Sequence, residues 1–158
     1  MELRIAKNKG KPASIVYHRN DGTQTWMNAD GFFVLHDLSH FAIETTLHYT
    51  TAFMGMINSG MNIKDFEDRE KRLQMTVTSE AAYAETMANL FLLELTQGNF
   101  DNFNKVLAAS FSDHWQQFNT PVLDEGHVNA IRQCLRSLVQ QWKTLEEGAQ
   151  LQLTYDLN

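Results

Sequence analysis

Residues 151–157 read LQLTYDL, a strict alternation of apolar and polar side chains. Successive residues of a β-strand point to opposite faces of the sheet, so this alternation predicts a strand with one apolar face. That face carries Leu151, Leu153, Tyr155 and Leu157. Because a lone strand is not stable by itself, we expect it to pair with strands from elsewhere in the chain.

The N-terminal part of the chain supplies candidate partners for that strand. Residues 2–5 (ELRI) alternate between charged and apolar side chains, and residues 14–18 (SIVYH) form a second β-rich run. The stretch RNDGT at 19–23 follows, and Asn, Asp and Gly are the residues that adopt positive φ in hairpin turns. It leads to a third run, QTWM, at 24–27. We therefore expect a small antiparallel sheet made of the N-terminal strands plus the C-terminal one.

Between residues 32 and 147 the apolar side chains repeat with the period of helices instead. The first part, residues 35–60, has β-branched and aromatic residues near its middle, which predict two helices with a break near residues 48–50. Three longer amphipathic helices follow, with apolar stripes over residues 84–95, 103–118 and 128–145. The sequence therefore predicts an α+β fold, in which the sheet packs with a bundle of four or five helices.

Two further segments complete the organisation of the chain. Residues 64–72 carry four charges of each sign, which is typical of a solvated surface connection. The heptad-like stripe from Val128 to Leu145 spans only about two and a half repeats, too few for an independent coiled coil. We expect this stripe to pack into the chain's own core, with a homodimer as the alternative. We find no linker that would divide residues 1–158, so we expect a single domain.

Composition excludes several classes of protein. The 158 residues include 13 Lys or Arg, 19 Asp or Glu and one cysteine, for a net charge of −6. A single cysteine excludes an intrachain disulfide and a four-cysteine zinc site. Without clustered basic residues we expect no nucleic-acid partner. No run approaches the about 18 apolar residues of a membrane helix, and residues 1–11 lack a signal-peptide core. We expect a soluble, cytoplasmic protein that does not bind membranes.

The densest group of reactive side chains is HDLSHFAIE at residues 36–44. Residues four apart share one face of a helix, so we expect His36, His40 and Glu44 to point to the same side and to bind a divalent metal ion. Two imidazoles and a carboxylate suit Zn²⁺, Mn²⁺, Fe²⁺ or Ni²⁺. Asp37 would orient an imidazole or act as the catalytic base through a bound water.

The same residues also have a purely structural interpretation. Asp37 would then cap the helix and leave His36 outside it. His40 would form hydrogen bonds inside the fold, and Glu44 would face water or an ion pair. Glu44 also lies about 12 Å from His36 along an ideal helix, so one ion needs a third ligand from elsewhere. Function therefore stays open between metal-assisted chemistry and a non-enzymatic binding or scaffolding protein.

This segment is also part of a resemblance to other proteins. From the hairpin through HDLSHFAIE at residues 36–44 and on to Gly55 and Gly60, the chain resembles a group of small uncharacterised bacterial proteins. In these proteins a similar His-Asp-Leu-x-His run follows a few strands. The resemblance implies no particular activity, substrate or ligand.

Two better-known metal motifs fit less well. The zincin motif His-Glu-x-x-His would need Asp37 in place of its glutamate, with Glu67 or Glu70 as the downstream ligand. The His-Asp metal-dependent phosphohydrolases share the adjacent His-Asp pair, but they are similar to one another in being wholly helical. Here the upstream histidine, His18, falls on a predicted strand.

Overall fold

The computed structural model describes residues 1–112 and 115–157, apart from the side chain of Ser112. Within these residues a four-stranded antiparallel sheet and six α-helices confirm the predicted α+β class. The strands are β1 (Glu2–Ala6), β2 (Ala13–His18), β3 (Gln24–Ala29) and β4 (Gln150–Thr154). The helices are α1 (Gly31–Leu47), α2 (Phe53–Asn58), α3 (Arg69–Gln74), α4 (Ser79–Gln97), α5 (Phe103–Ser112) and α6 (Glu125–Thr144). A 3₁₀ helix (Ile63–Phe66) precedes α3.

The sheet has the strand order β3-β2-β1-β4, so the C-terminal strand joins the N-terminal strands as expected, by pairing with β1. This strand ends at Thr154, so Tyr155 and Leu157 lie beyond it. Leu3 lies opposite Tyr17 on one side and opposite Leu153 on the other. The predicted hairpin turn joins β2 to β3, where the Arg19 N–H donates to the Thr23 carbonyl at 2.8 Å. The alternation of apolar residues thus directs one face of the sheet toward the helices.

That face and the helices α1, α2, α4, α5 and α6 form the core. Helix α1 contacts β2, β3, α4 and α6, so it is the central element between the sheet and the bundle. The apolar stripe of α6 lies inside this core, as expected, with Val128, Ile131, Leu135 and Leu138 all buried. Among the described residues, no helix is long and apolar enough to cross a bilayer.

The helix count exceeds the expected four or five because of α3, in the segment expected to be a surface connection. Asp68 begins α3 by accepting hydrogen bonds from the N–H groups of Glu70 and Lys71. None of the residues of α3 is buried. A helix without an apolar stripe leaves no periodic signal in the sequence, which is why this one was not predicted.

The stripe predicted over residues 103–118 corresponds to α5, which is shorter than expected. Trp115 and Phe118 lie outside the helix, and the Phe118 N–H donates to the Trp115 carbonyl in a turn at 3.2 Å. Residues 113–114, which this stripe includes, lie outside the described part of the chain. Aromatic residues therefore continue the helical spacing after the helix itself has ended.

Candidate functional site

Helix α1 begins well before the reactive cluster. The Asp30 side chain accepts hydrogen bonds from the N–H groups of Phe32 and Phe33 at 2.9 and 3.1 Å, so Asp30 is the N-cap. The alternative in which Asp37 caps the helix is therefore wrong. His36 lies inside the helix, so its four-residue spacing from His40 places both residues on the same helix face.

His36 and His40 lie side by side on one face of α1, with ring centroids 4.8 Å apart. Glu85, from the neighbouring helix α4, approaches both rings. One carboxylate oxygen is 3.6 Å from His36 Nε2, and the other is 3.2 Å from His40 Nε2. The side chain of His40 is 4% exposed, whereas that of Glu85 is 48% exposed. The three groups therefore span the boundary between the core and solvent.

Glu44 lies on the other side of His40, away from Glu85. Its side chain is fully buried, and its Oε1 accepts a hydrogen bond from His40 Nδ1 at 3.0 Å. Its Oε2 accepts a second bond from the Met54 N–H at 2.9 Å. The structure thus brings Glu44 to His40 but not to the Nε2 side, where His36 and Glu85 lie. A carboxylate at Nδ1 leaves Nε2 as the ligand atom of His40.

Gly55 makes this arrangement possible. A Cβ atom at this position would lie 1.9 Å from the Thr50 carbonyl oxygen, so the loop after α1 can pack against α2 only where no side chain is present. This close approach places the N-terminus of α2 against α1. The Met54 N–H can then reach Glu44, and the Phe53 ring lies 5.0 Å from the ring of His40.

Asp37 is held from the sheet side. The hydroxyl of Tyr17, on β2, donates to Asp37 Oδ2 at 2.7 Å. Burial raises the pKa of Asp37 from 3.8 to about 6, although the Tyr17 bond and the charges of His40 and His36 favour the ionised form. A carboxyl group with a pKa near 6 can exchange a proton close to neutral pH, as a general base must. Glu44, rather than Asp37, orients an imidazole.

The electrostatics of the cluster favour a proton on His40. Burial alone would lower the pKa of His40, but its hydrogen bonds to Glu44 and Glu85 outweigh burial and raise the pKa to about 10. Burial also opposes ionisation of Glu85, yet its bonds to His36 and His40 hold the pKa of Glu85 well below the usual value. These shifts favour a protonated His40 between Glu44 and Glu85 when no metal ion is bound, although burial also raises the pKa of Glu44.

The geometry comes close to that of a metal site. One ligand atom from each of His36, His40 and Glu85 lies within 4.8 Å of the other two. Donor atoms about 2.1 Å from a shared ion lie at most about 4.2 Å apart, so the cluster must contract slightly to hold one. The half-exposed side chain of Glu85 and the partly exposed side chain of His36 can supply that movement.

The cluster lines a cavity of about 440 Å³. Besides His36, His40 and Glu85, Asp37 also lines it. This volume is in the lower part of the range, about 300–1,000 Å³, of pockets that bind small molecules. A small ligand in the cavity could therefore contact the two imidazoles and both acidic groups.

Glu85 is the residue that the sequence analysis missed. It lies on α4, beside the apolar stripe that includes Ala84 and Ala88, where a charged residue is ordinarily a solvated neighbour of the core. The downstream candidates considered for the zincin pattern, Glu67 and Glu70, do not belong to the cluster in the described residues. The signal in the sequence for Glu85 was its position at the edge of the apolar stripe of α4. That position does not single out one residue as a ligand.

Comparison with known proteins gives no further guidance. The resemblance to small bacterial proteins with a His-Asp-Leu-x-His segment stays a prediction. No protein-family model, curated protein or solved structure matches this chain.

Proposed function

We propose that the protein binds one divalent transition-metal ion through His36, His40 and Glu85, and uses it in metal-assisted chemistry on a small ligand. The observation that carries this proposal is the approach of Glu85, from a separate helix, to the Nε2 atoms of both histidines, all three of which line one cavity. Two imidazoles and one carboxylate are the donor set of both hydrolytic zinc sites and non-haem iron sites. Zn²⁺, Mn²⁺, Fe²⁺ and Ni²⁺ are the candidate ions.

The surroundings of His40 support ligation. Metal-binding histidines commonly donate their other ring N–H to a carboxylate, which fixes the ring and raises its basicity. The Nδ1 contact with Glu44 has this form. An ion at Nε2 would take the place of the proton that His40 otherwise holds, so binding releases a proton.

Asp37 supports the proposed metal-assisted chemistry. It lines the same cavity, and its pKa of about 6 lets it accept a proton at neutral pH. The metal ion would supply Lewis-acid activation of a bound water or ligand oxygen. In this proposal Asp37 is the base, and Tyr17 holds it in place through the bond to Oδ2.

The second candidate function is a non-enzymatic binding or scaffolding protein with a structural cluster. One observation favours it. Among the described residues, no buried side-chain nitrogen or oxygen lacks a hydrogen-bond partner. The imidazolium of His40 between Glu44 and Glu85 is thus satisfied by the protein alone. The two candidates differ in whether that proton can be exchanged for a metal ion.

Elemental analysis of protein purified without a metal-affinity tag, followed by calorimetric titration of chelator-treated protein, separates the candidates. With Zn²⁺, Mn²⁺ or Ni²⁺ we expect saturation at one equivalent, which His40→Ala abolishes. The control is His127→Ala, because His127 is an exposed histidine beside Asp124 at the start of α6. If His40→Ala does not fold, the partly exposed His36 provides the substitute His36→Ala. Equal weak binding by wild type and these variants would favour the structural candidate.

A further inference from the structure

Away from the histidines and carboxylates, the cavity wall is apolar and rich in aromatic rings and thioethers. Phe53 and Phe66 meet edge to face on this wall, with ring centroids 4.8 Å apart. Met56 and Met75 also line it. Aromatic rings prefer such edge contacts with other rings, and methionine sulfur makes favourable contacts with ring edges. The wall therefore suits a flat aromatic group better than a saturated one.

The aromatic wall begins next to the proposed metal ligands. The Phe53 ring lies 5.0 Å from the ring of His40, and both residues line the cavity, so a group bound against Phe53 is adjacent to His40. A ligand that fills the cavity would thus place one end against the rings and the other at the metal ion. A small molecule with two chemically different ends would match these two parts of the cavity.

Charge on the rest of the wall is balanced. Apart from the groups at the metal end, the charged residues that the described structure places on the cavity are Glu67 and Arg72, which have opposite signs. Sugars and polyphosphates need many polar partners, and this wall offers few of them. A divalent metal ion whose one charged ligand is Glu85 keeps a positive charge at its open coordination positions, where an anionic oxygen can bind, and the Asp37 carboxylate on the same cavity opposes this attraction in part.

From these observations we propose that the cavity takes a small aromatic molecule, with its ring against Phe53, Phe66, Met56 and Met75 and an anionic oxygen head group on the metal ion. The head-group part rests on the proposed function, because the metal ion supplies the charge. The aromatic part rests on the wall alone. The two parts can therefore fail separately.

The test uses Co²⁺-loaded protein and three carboxylate probes: phenylacetate, cyclohexylacetate and acetate. Displacement of water from the ion by a carboxylate changes the visible absorption of cobalt, which reports the affinity of each probe. We expect phenylacetate to bind more than about tenfold more tightly than acetate, and about two- to tenfold more tightly than cyclohexylacetate. Equal affinities for phenylacetate and cyclohexylacetate would overturn the aromatic part, although cobalt binding itself would uphold the metal site.

A variant pair locates the preference on the wall. Phe66→Ala should reduce the phenylacetate preference over acetate to less than about threefold. Leu73→Ala is the matched control, because Leu73 lies in the same segment, is 78% exposed and does not line the cavity. The cobalt spectrum without probe shows whether each variant has folded. An unchanged preference in folded Phe66→Ala would contradict the assignment.

If cobalt does not bind, the proposed function fails, and the aromatic part is still testable. Trp115 lines the cavity, so its fluorescence in metal-free protein reports ligand entry. The probes are then the neutral pair benzyl alcohol and cyclohexylmethanol, with Trp115→Phe identifying the signal. Tighter binding of benzyl alcohol supports the aromatic wall, whereas equal or absent quenching by both probes overturns it.

Discussion

Helix α4 carries three glutamates, and two of them, Glu85 and Glu94, pair with positive groups in contrasting ways. Nine residues at about 100° each place them on opposite sides of the helix. Glu94 accepts two hydrogen bonds from the guanidinium of Arg132, at 2.6 and 2.8 Å, and one from the Phe100 N–H at 2.9 Å. Glu85 instead contacts His36 and His40 at the edge of a cavity.

The two pairs differ in whether the positively charged partner of the glutamate can exchange its proton. A guanidinium keeps its protons at any pH that a protein tolerates, so the Glu94 pair can only hold α4 to α6. An imidazolium can lose a proton and then bind a metal ion through the same nitrogen. The Arg132 pair is thus closed and structural, whereas we propose that the His40 cluster is open to exchange.

Among single substitutions, the largest effect on stability is expected from breaking the closed pair. Arg132→Met leaves the Glu94 carboxylate buried without its charge partner, which should lower the free energy of unfolding by about 3 kcal/mol in urea denaturation. Metal binding at His40 should keep one equivalent. Arg136→Met is the control, because Arg136 is exposed on the same helix and should change stability by less than about 0.5 kcal/mol. Equal small losses would contradict a structural role for the pair.

The next largest effect is expected on metal affinity at the His40 cluster. Glu44→Gln replaces the acceptor at His40 Nδ1 with a neutral amide, so metal affinity should fall about 10- to 100-fold while one equivalent still binds. Calorimetry measures both quantities. The control is Glu80→Gln, which alters a carboxylate that accepts from the Thr50 and Thr51 N–H groups, outside the cluster. Loss of the whole equivalent in Glu44→Gln would instead make Glu44 a ligand, as the sequence predicted.

The pH dependence of stability separates the two regions without any added metal. The pKa of His40 is raised to about 10 in the folded chain, against about 6.5 when unfolded, so its contribution is complete below pH 6.5. Stability should then fall as pH rises from 6.5 toward 10, by at most about 1.4 kcal/mol per unit. Urea denaturation of chelator-treated protein at several pH values measures this slope. His40→Gln should remove it, and a slope that persists in the variant would assign it elsewhere.

The smallest effect concerns the sheet side of the site. Tyr17→Phe removes the hydroxyl that donates to Asp37, which should cost about 1 kcal/mol and raise the pKa of Asp37 further. The loss stays small because the buried carboxyl group can take up a proton instead. Tyr83→Phe is the control, since that hydroxyl donates to the Asn119 carbonyl at an exposed position. Equal costs for both variants would contradict a special role for the Tyr17 bond.

Local periodicity explains what was predictable in this molecule. Alternation at residues 151–157 predicts β4 and its partner sheet, because a strand with one apolar face must be covered. The four-residue spacing of His36 and His40 predicts their shared helix face. Both patterns repeat within one element, so no knowledge of the tertiary structure is needed to interpret them.

The rest of the site depends on contacts between elements. Glu85 joins the histidines only because α4 packs on α1, and no spacing in the sequence encodes that approach. Glu44 lies at the correct helical spacing for a ligand, yet its direction is set by the Met54 N–H and by the close approach at Gly55. Side chains that look equivalent along the helix thus take different roles after packing.

The most direct test of the central claim is the anomalous scattering from a crystal of the protein soaked in Zn²⁺. The account predicts one strong peak about 2.0–2.2 Å from His36 Nε2, His40 Nε2 and an oxygen of Glu85. Peaks confined to exposed groups such as His127 and Asp124, with none at the cluster, would contradict it. In that case the proton on His40 is not exchanged, and Glu85, like Glu94, serves structure alone.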